Sequence, residues 1–202
     1  MSPAAIVPES QPLILHLGAL VEKMSDQEFF ALCQLNPEWR MERTSAGDLV
    51  IMPPTGGWTG THNFTLIGLL SRWVEADGTG LGFASSTGFT LPNGATRSPD
   101  LAWVTRARWE ALTAAEQEEF PPLCPDFVVE LRSRSDALAP LQAKMQEYMA
   151  NGAQLGWLID PHEKKVYIYS PHDAVCCLEN PMTVSGEPLL PGFTFHVQRL
   201  WS

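Results

Sequence analysis

The stretch CPDFVVELRSRSD, residues 124–136, decides the fold because it holds a strand-forming apolar run with an acid inside it. Phe127–Leu131 is rich in β-branched and aromatic residues, and its one charged residue is Glu130. Burying a carboxylate without a partner costs several kcal/mol or shifts its ionisation. We therefore expect a core strand and a charged site that Glu130 helps to form.

Asp126 opens the same strand but is not expected to share a metal with Glu130. Side chains alternate along a strand, so the two acids face the same way, about 13 Å apart. One Mg²⁺ ion cannot bridge that gap, because its oxygen ligands lie at about 2.0–2.1 Å. The interpretation is that Asp126 starts the strand, where Pro125 is tolerated and the acid meets solvent.

A second Pro-Asp pair, in RSPDLAWV, is a better partner for Glu130. Asp100 precedes a short apolar run, residues 101–104, that is typical of a buried strand. Paired strands lie about 4.8 Å apart, so pairing with Phe127–Leu131 would bring the Asp100 and Glu130 carboxylates together. The alternative for Asp100 is a turn residue after Pro99.

Basic residues complete the pattern. Arg132 follows Glu130 in the spelling E-x-R, but arginine stays protonated and cannot act as a base. Asp136 is predicted to cap a helix that runs to Ala150. Lys144 lies at the margin of the apolar stripe of that helix, where it either turns its amine inward or is an ordinary solvated lysine. The stripe consists of Leu138, Leu141, Met145 and Tyr148.

The rest of the chain alternates helix and strand patterns with hairpins, which predicts a mixed sheet. Residues 1–19 are interpreted as an N-terminal tail and residues 20–202 as a single domain. A capping box predicts a helix start at Ser25, and WRMERTSAGDLVIMPP predicts a hairpin. Residues 105–119 are predicted as one polar helix. A further helix is predicted to bury a stripe of Phe64, Ile67, Leu70 and Val74 and to end at Gly78.

Composition restricts the class of protein. The chain is 45% hydrophobic and 18% charged, which is ordinary for a soluble domain. No apolar run approaches the ~20 residues of a membrane span, and no signal peptide is recognised, so a cytoplasmic protein without membrane contact is expected. The 4 cysteines are too scattered for zinc. A net charge of −10 argues against broad coating by nucleic acid.

Three segments together resemble a known family. SPDLAWV, PDFVVELRSRSD and LQAKMQEYMANGAQLGWLIDP are similar to the PD-(D/E)XK restriction-endonuclease-like superfamily, and within it to the bacterial Uma-type family. The resemblance covers residues 20–200. It implies an α/β fold: a central mixed sheet of four to five strands, flanked by helices, with hairpin additions.

The resemblance also implies a site. Asp100 and Glu130 match the two acids, Lys144 matches a lysine that has moved to the following helix, and the chemistry is hydrolysis of phosphodiester bonds in DNA. Mg²⁺ or Mn²⁺ is expected on both acids and the backbone carbonyl of Leu131. His62, at a helix start, either faces the cleft or is a polar cap residue. The expected phosphate-binding residues are Arg132, Ser133, Arg134 and Ser135. A homodimer would suit cleavage of both strands.

Two departures from the family pattern keep a second class of function open. Many relatives have an acid near the start of the helix after the Pro-Pro turn, where this chain has Trp58. Relatives often read Ser-Pro-Ser where this chain has Ser133-Arg134-Ser135. Loss of a metal-binding acid would weaken ion binding. The alternative is thus a catalytically degenerate nuclease fold that acts as a nucleic-acid-binding or assembly module.

Overall fold

The structure, a computed structural model, describes residues 12–17 and 24–201. The helices of this part are α1 Asp26–Leu35, α2 Gly57–Asp77, α3 Arg106–Glu110, α4 Ala114–Glu118 and α5 Leu138–Ala150, with a last 3₁₀ turn at Val197–Leu200. The first strands are β1 Leu13–Leu15, β2 Arg40–Arg43, β3 Leu49–Met52, β4 Gly80–Ala84, β5 Phe89–Thr90, β6 Thr96–Arg97 and β7 Leu101–Thr105. The later strands are β8 Phe127–Leu131, β9 Leu155–Asp160, β10 Lys165–Tyr169, β11 Cys176–Glu179, β12 Val184–Ser185 and β13 Thr194–Phe195.

The central sheet is mixed, as the sequence predicts. Its order is β11-β10-β9-β8-β7-β4, and its neighbours are antiparallel except for the parallel pair β8–β9. A parallel pair needs a crossover, and α5 supplies it. In the described part the sheet has six strands, beyond the four to five expected, because β4 and β11 extend it at both edges. The α/β fold class is confirmed.

A second, five-stranded sheet has the order β1-β3-β2-β6-β5. The predicted hairpin is its β2–β3 pair, in which Arg43 faces Leu49 across the turn. Leu13–Leu15, inside the predicted tail, forms the edge strand β1 against β3. The remaining residues of the predicted tail, 1–11, 18 and 19, lie outside the described part of the chain. No helix of the described residues is long and apolar enough to cross a membrane.

The two faces of the central sheet bury separate clusters. One face packs Trp103 and Phe127 against Leu66 and Leu70 of α2. The other packs Val128, together with Met145 and Tyr148 of α5, into a second core. The predicted α2 stripe is partly wrong, because Phe64 is 78% exposed. Residues buried on α2 are Thr59, His62, Leu66 and Leu70, so the buried face is rotated from the predicted one.

The start of α5 differs from the prediction, whereas its end agrees with it. Ala137 is the N-cap residue and makes no side-chain cap. The Asp136 carboxylate instead accepts a hydrogen bond from the Ser133 amide, 2.9 Å away, in the turn before the helix. Pro140 lies in the first turn, where a missing N–H costs no helical bond. The helix ends at Ala150, Asn151 is its C-cap residue, and Gly152 has a φ of 106°.

Two other expectations are wrong. Residues 105–119 form two short helices, because Thr113 makes a capping box with Glu116 and starts α4 anew. Asp126 does not meet solvent. Its carboxylate is buried, accepts a hydrogen bond from the Thr105 amide at 2.8 Å and pairs with Arg108 at 2.6 Å.

Candidate active site

The antiparallel pairing of β7 and β8 positions the two acids predicted from sequence. Leu101 faces Val129 in this pairing, so the register places Asp100 opposite Glu130 one residue further on. The Leu131 amide donates a 2.9 Å hydrogen bond to Oδ2 of Asp100, which fixes this carboxylate at the end of β8. Asn63 of α2 donates to the other oxygen at 3.3 Å. Asp100 is therefore held between the sheet and α2.

Lys144 turns its amine into this site. Its Nζ lies 2.8 Å from Oε1 of Glu130, and its side chain is 15% exposed. The helix that carries it returns over the sheet face on which Glu130 lies, as the crossover between β8 and β9 requires. The inward orientation is thus the one adopted, and the solvated alternative is not.

Glu42 is a third acid in the site. It is buried, and it was not predicted from the sequence. It comes from β2 in the second sheet, and its Oε1 accepts a 2.9 Å bond from the same Lys144 ammonium. The Ser98 amide also donates to Oε1, and Arg97 approaches Oε2 at 3.2 Å. The available signal was an acid inside a predicted strand, the same signal that singled out Glu130.

Tyr148 is a second residue that the sequence reading did not assign to the site. Its hydroxyl donates to Oε1 of Glu130 at 2.9 Å, so Glu130 accepts from Tyr148 and Lys144 at once. Tyr148 lies one helical turn after Lys144 on the buried face of α5. Both donors therefore fix the same oxygen.

The ionisation of the cluster follows from burial and from the neighbouring charges. Burial raises the pKa of Glu130 to about 7, and the negative charges of Asp100 and Glu42 act in the same direction. Burial also raises the pKa of Asp100. Burial opposes ionisation of Glu42, but the charges of Lys144 and Arg97 outweigh it and lower its pKa. Glu42 is thus the firmly ionised member.

The donor set fits a hard divalent cation that keeps most of its waters. Within residues 12–17 and 24–201, no group of three or more His, Cys, Asp and Glu side chains is arranged for a metal ion. The half-buried Asp100 and the buried Glu130 remain as a pair of carboxylates with raised pKa values, and a bound cation would favour their ionised forms. Mg²⁺ is commonly bound by one or two carboxylates, with water filling the other positions.

The residues predicted to contact phosphate are not all free to do so. Arg132 pairs with the buried Asp160 at 2.6 Å and donates to the Asp136 carbonyl. The hydroxyls of Ser133 and Ser135 lie 2.9 Å apart. Arg134 is exposed on the same loop.

His62 does not contact the two acids through any bond seen among the described residues. It is 6% exposed, its Nδ1 donates to the Trp58 carbonyl at 2.7 Å, and its ring packs 3.9 Å from the Trp58 ring. The next residue, Asn63, makes the contact with Asp100 instead. His62 is therefore placed one residue away from the group that reaches the site.

Comparisons with known proteins agree with this fold. A crystal structure of a putative nuclease belonging to DUF820, from Anabaena variabilis, matches with a TM-score of 0.73. The two chains are 18% identical, and the match covers 88% of this chain and 97% of that chain. At that identity the likeness shows a shared fold. No curated protein sequence matches the chain.

A family match covers most of the chain and not only the segments around the acids and the lysine. A family model, Uma2, described as "Putative restriction endonuclease", matches residues 26–198. This range includes both Pro-Asp acids, the lysine on α5 and the strands that carry them. The chain therefore belongs to the Uma2 family, whose description is that of a nuclease.

Proposed function

We propose that this chain is a divalent-metal-dependent nuclease that hydrolyses phosphodiester bonds in DNA. The observation that carries the proposal is the convergence of Asp100, Glu130 and Lys144. The two acids come from neighbouring strands, and the lysine contacts one of them at 2.8 Å. Family membership and the nuclease-like fold support the same reaction class.

In this proposal Asp100 and Glu130 hold Mg²⁺ or Mn²⁺, together with the backbone carbonyl of Leu131. Such an ion, when bound, lowers the pKa of a coordinated water and offsets charge on the phosphate. Lys144 orients the attacking water and adds positive charge where negative charge develops. Its buried position keeps the ammonium away from bulk water, which strengthens both effects.

Contacts with the DNA backbone are assigned to the loop after β8. Arg134 is exposed there, and the hydroxyls of Ser133 and Ser135 lie beside it. Arg132 keeps its pairing with Asp160 and acts by fixing this loop. A short basic loop, rather than a broad basic surface, is compatible with the net charge of −10.

Plasmid cleavage tests the proposal. Supercoiled DNA incubated with the protein and Mg²⁺ or Mn²⁺ is expected to be nicked or linearised, and EDTA is expected to stop it. Asp100→Asn and Lys144→Met should each lower the rate about a hundredfold or more. Glu110→Gln, a change at an exposed acid on α3, is the control and should match the wild type. Wild-type rates in the Asp100 or Lys144 variant would refute the assignment.

A non-catalytic nucleic-acid-binding or assembly module is the second candidate. The observation that favours it is the ion pair of Lys144 with Glu130, which already neutralises one of the two carboxylates. Calorimetry with Mn²⁺ separates the two. Binding that is lost in Glu130→Gln supports the enzyme, whereas DNA binding without any Mn²⁺ binding supports the module.

A further inference from the structure

We propose that Glu42 is a positioning residue that keeps the Lys144 ammonium in the site when Glu130 turns to a metal ion. This inference rests on the proposed metal-dependent reaction. Glu42 has no assigned role so far and comes from the second sheet, outside the core that carries Asp100, Glu130 and Lys144.

The first argument is that Glu42 is immobilised on both oxygens. It is 3% exposed, and the Ser98 amide holds Oε1 at 2.9 Å. Arg97 holds Oε2 at 3.2 Å and is itself fixed by Glu147, whose carboxylate lies 2.6 Å from its Nε. An acid held this way offers a fixed point of negative charge.

The second argument is a competition for Glu130. Lys144 and Tyr148 both donate to its Oε1, and a metal ion would draw on the same carboxylate. A buried ammonium that lost its contact with Glu130 needs another acid, because an unpaired charge is costly there. Glu42 is that acid, 2.9 Å from Nζ.

The third argument separates anchoring from metal binding. Glu42 already accepts from Ser98, Arg97 and Lys144, which occupy about three of the four lone-pair sites of its carboxylate and leave it little capacity for a metal ion. Asp100, directly before β7, and Glu130 of β8 belong to neighbouring strands of the central sheet, whereas Glu42 reaches them from β2 of the second sheet. Glu42 therefore acts through Lys144.

A metal-free experiment tests directly whether Glu42 holds the Lys144 ammonium in the site, a role called the anchor below. The protein is acetylated in EDTA with an amine-reactive reagent. Mass spectrometry then follows the labelling of Lys144, with the exposed Lys164 as internal standard. Glu130→Gln imitates a site whose Glu130 is occupied, and its labelling rate should stay within about threefold of wild type. The double variant Glu42→Gln/Glu130→Gln should be labelled about tenfold faster or more.

The anchor is overturned if labelling in Glu130→Gln alone rises as far as in the double variant. Circular dichroism and the Lys164 rate show whether a variant has unfolded. If the double variant does not fold, Arg97→Gln with Glu130→Gln removes one of the bonds that fix Glu42 and should raise labelling in the same direction. An unchanged rate in that second pair also counts against the anchor.

A double-mutant cycle tests the competition. Glu42→Gln should weaken Mn²⁺ binding about tenfold in the wild type, because the ammonium then settles on Glu130. In a Lys144→Met background the same change should matter by less than about twofold. Glu110→Gln changes an exposed acid on α3 outside this network and is the control, which should leave Mn²⁺ binding unchanged. Equal weakening in both backgrounds would show that Glu42 acts on the ion directly and would overturn the inference.

The two experiments distinguish a failure of the proposed function from a failure of the role proposed for Glu42. If the wild type binds no Mn²⁺, the proposed metal-dependent function is wrong, and labelling alone decides whether Glu42 holds Lys144. If Mn²⁺ binds and labelling shows no anchoring, the metal site stands without this role for Glu42.

Discussion

Two aspartates with the same Pro-Asp spelling have different surroundings. Asp100 contacts the Leu131 amide and lies with the charged cluster at one end of the β7–β8 pair. Asp126 accepts from Thr105 and pairs with Arg108 at the other end. In an antiparallel pair the start of each strand lies beside the end of its neighbour. Two Pro-Asp motifs that each precede a strand therefore lie at opposite ends of the β7–β8 pair. The surroundings of Asp100 and Asp126 differ because of their positions in the strand pairing and not because of their local sequence.

Asp126 is predicted to support stability and not metal binding. Asp126→Ala leaves the Thr105 amide without its acceptor, and we expect a loss of about 1–3 kcal/mol in the free energy of unfolding. Urea denaturation measures this loss. Mn²⁺ affinity, measured by calorimetry under folding conditions, should be unchanged. A loss of metal binding with unchanged stability would assign Asp126 to the site instead.

Glu130 makes the metal-free protein sensitive to pH. Burial raises its pKa from 4.5 to about 7, so between these values the folded state holds a proton that the unfolded state has released. Its stabilising contribution is present below about pH 4.5 and is lost as pH rises through about 7. In EDTA, Glu130→Gln should therefore gain stability relative to wild type on going from pH 5 to pH 8. A pH-independent difference would contradict the raised pKa.

At the scale of elements, the sequence predicts where helices begin and end better than it predicts which face of a helix is buried. Ser25 and Glu28 form the capping box expected at α1, and Gly78 ends α2 with a φ of 69°. These signals are local, so the sequence contains them fully. The face of α2 was misplaced because Phe64 and Leu66 are both apolar and only packing against the sheet selects between them. Leu66 was selected and Phe64 is exposed.

The candidate site was predictable to the extent that it lies within one sheet. Asp100 and Glu130 could be paired because each lies at or inside an apolar strand. Glu42 could not be placed with them, because its contact with Lys144 spans 102 residues and joins two sheets. No local pattern in RMER indicates that partner. Tertiary pairing over such a separation is not encoded in spacing.

Two glycines of β4 give a matched test of strand packing. A Cβ on Gly80 would lie 2.4 Å from the Val104 carbonyl oxygen and 2.4 Å from the Trp103 ring, so Gly80→Ala must displace β4. A Cβ on Gly82 would meet side chains of Leu70 and Val74 at 3.6 Å, which is ordinary contact. We expect Gly80→Ala to cost about 2 kcal/mol or more and Gly82→Ala to cost little. Thermal unfolding of both variants checks this, and equal stabilities would contradict the strand register.

At the scale of the whole molecule, the two sheets meet at the charged cluster. The second sheet contributes Glu42 and Arg97, and the central sheet with α5 contributes Glu130 and Lys144. Ion pairs between largely buried side chains thus link the second sheet to the central sheet and α5. The arrangement couples the integrity of the site to the packing of the entire domain.

Thiol chemistry reports on that packing. Burial raises the pKa of Cys124 to about 12, and this thiol lies in the core beside α5. Cys176 and Cys177 on β11 are exposed. Iodoacetamide should modify these two first and reach Cys124 only at the rate of global unfolding. Mass spectrometry of native protein checks the order, and early modification of Cys124 would show a locally open core.

The distribution of the cluster along the chain sets the order in which synthesis on the ribosome supplies its charges. Glu42, Asp100 and Glu130 are all translated before Lys144, the ammonium that two of them contact. A nascent chain that ends before α5 holds three acids destined for one interior and lacks that lysine. Burying these carboxylates without their ammonium would be costly, so we expect the two sheets to close over the cluster only after α5 has been synthesised.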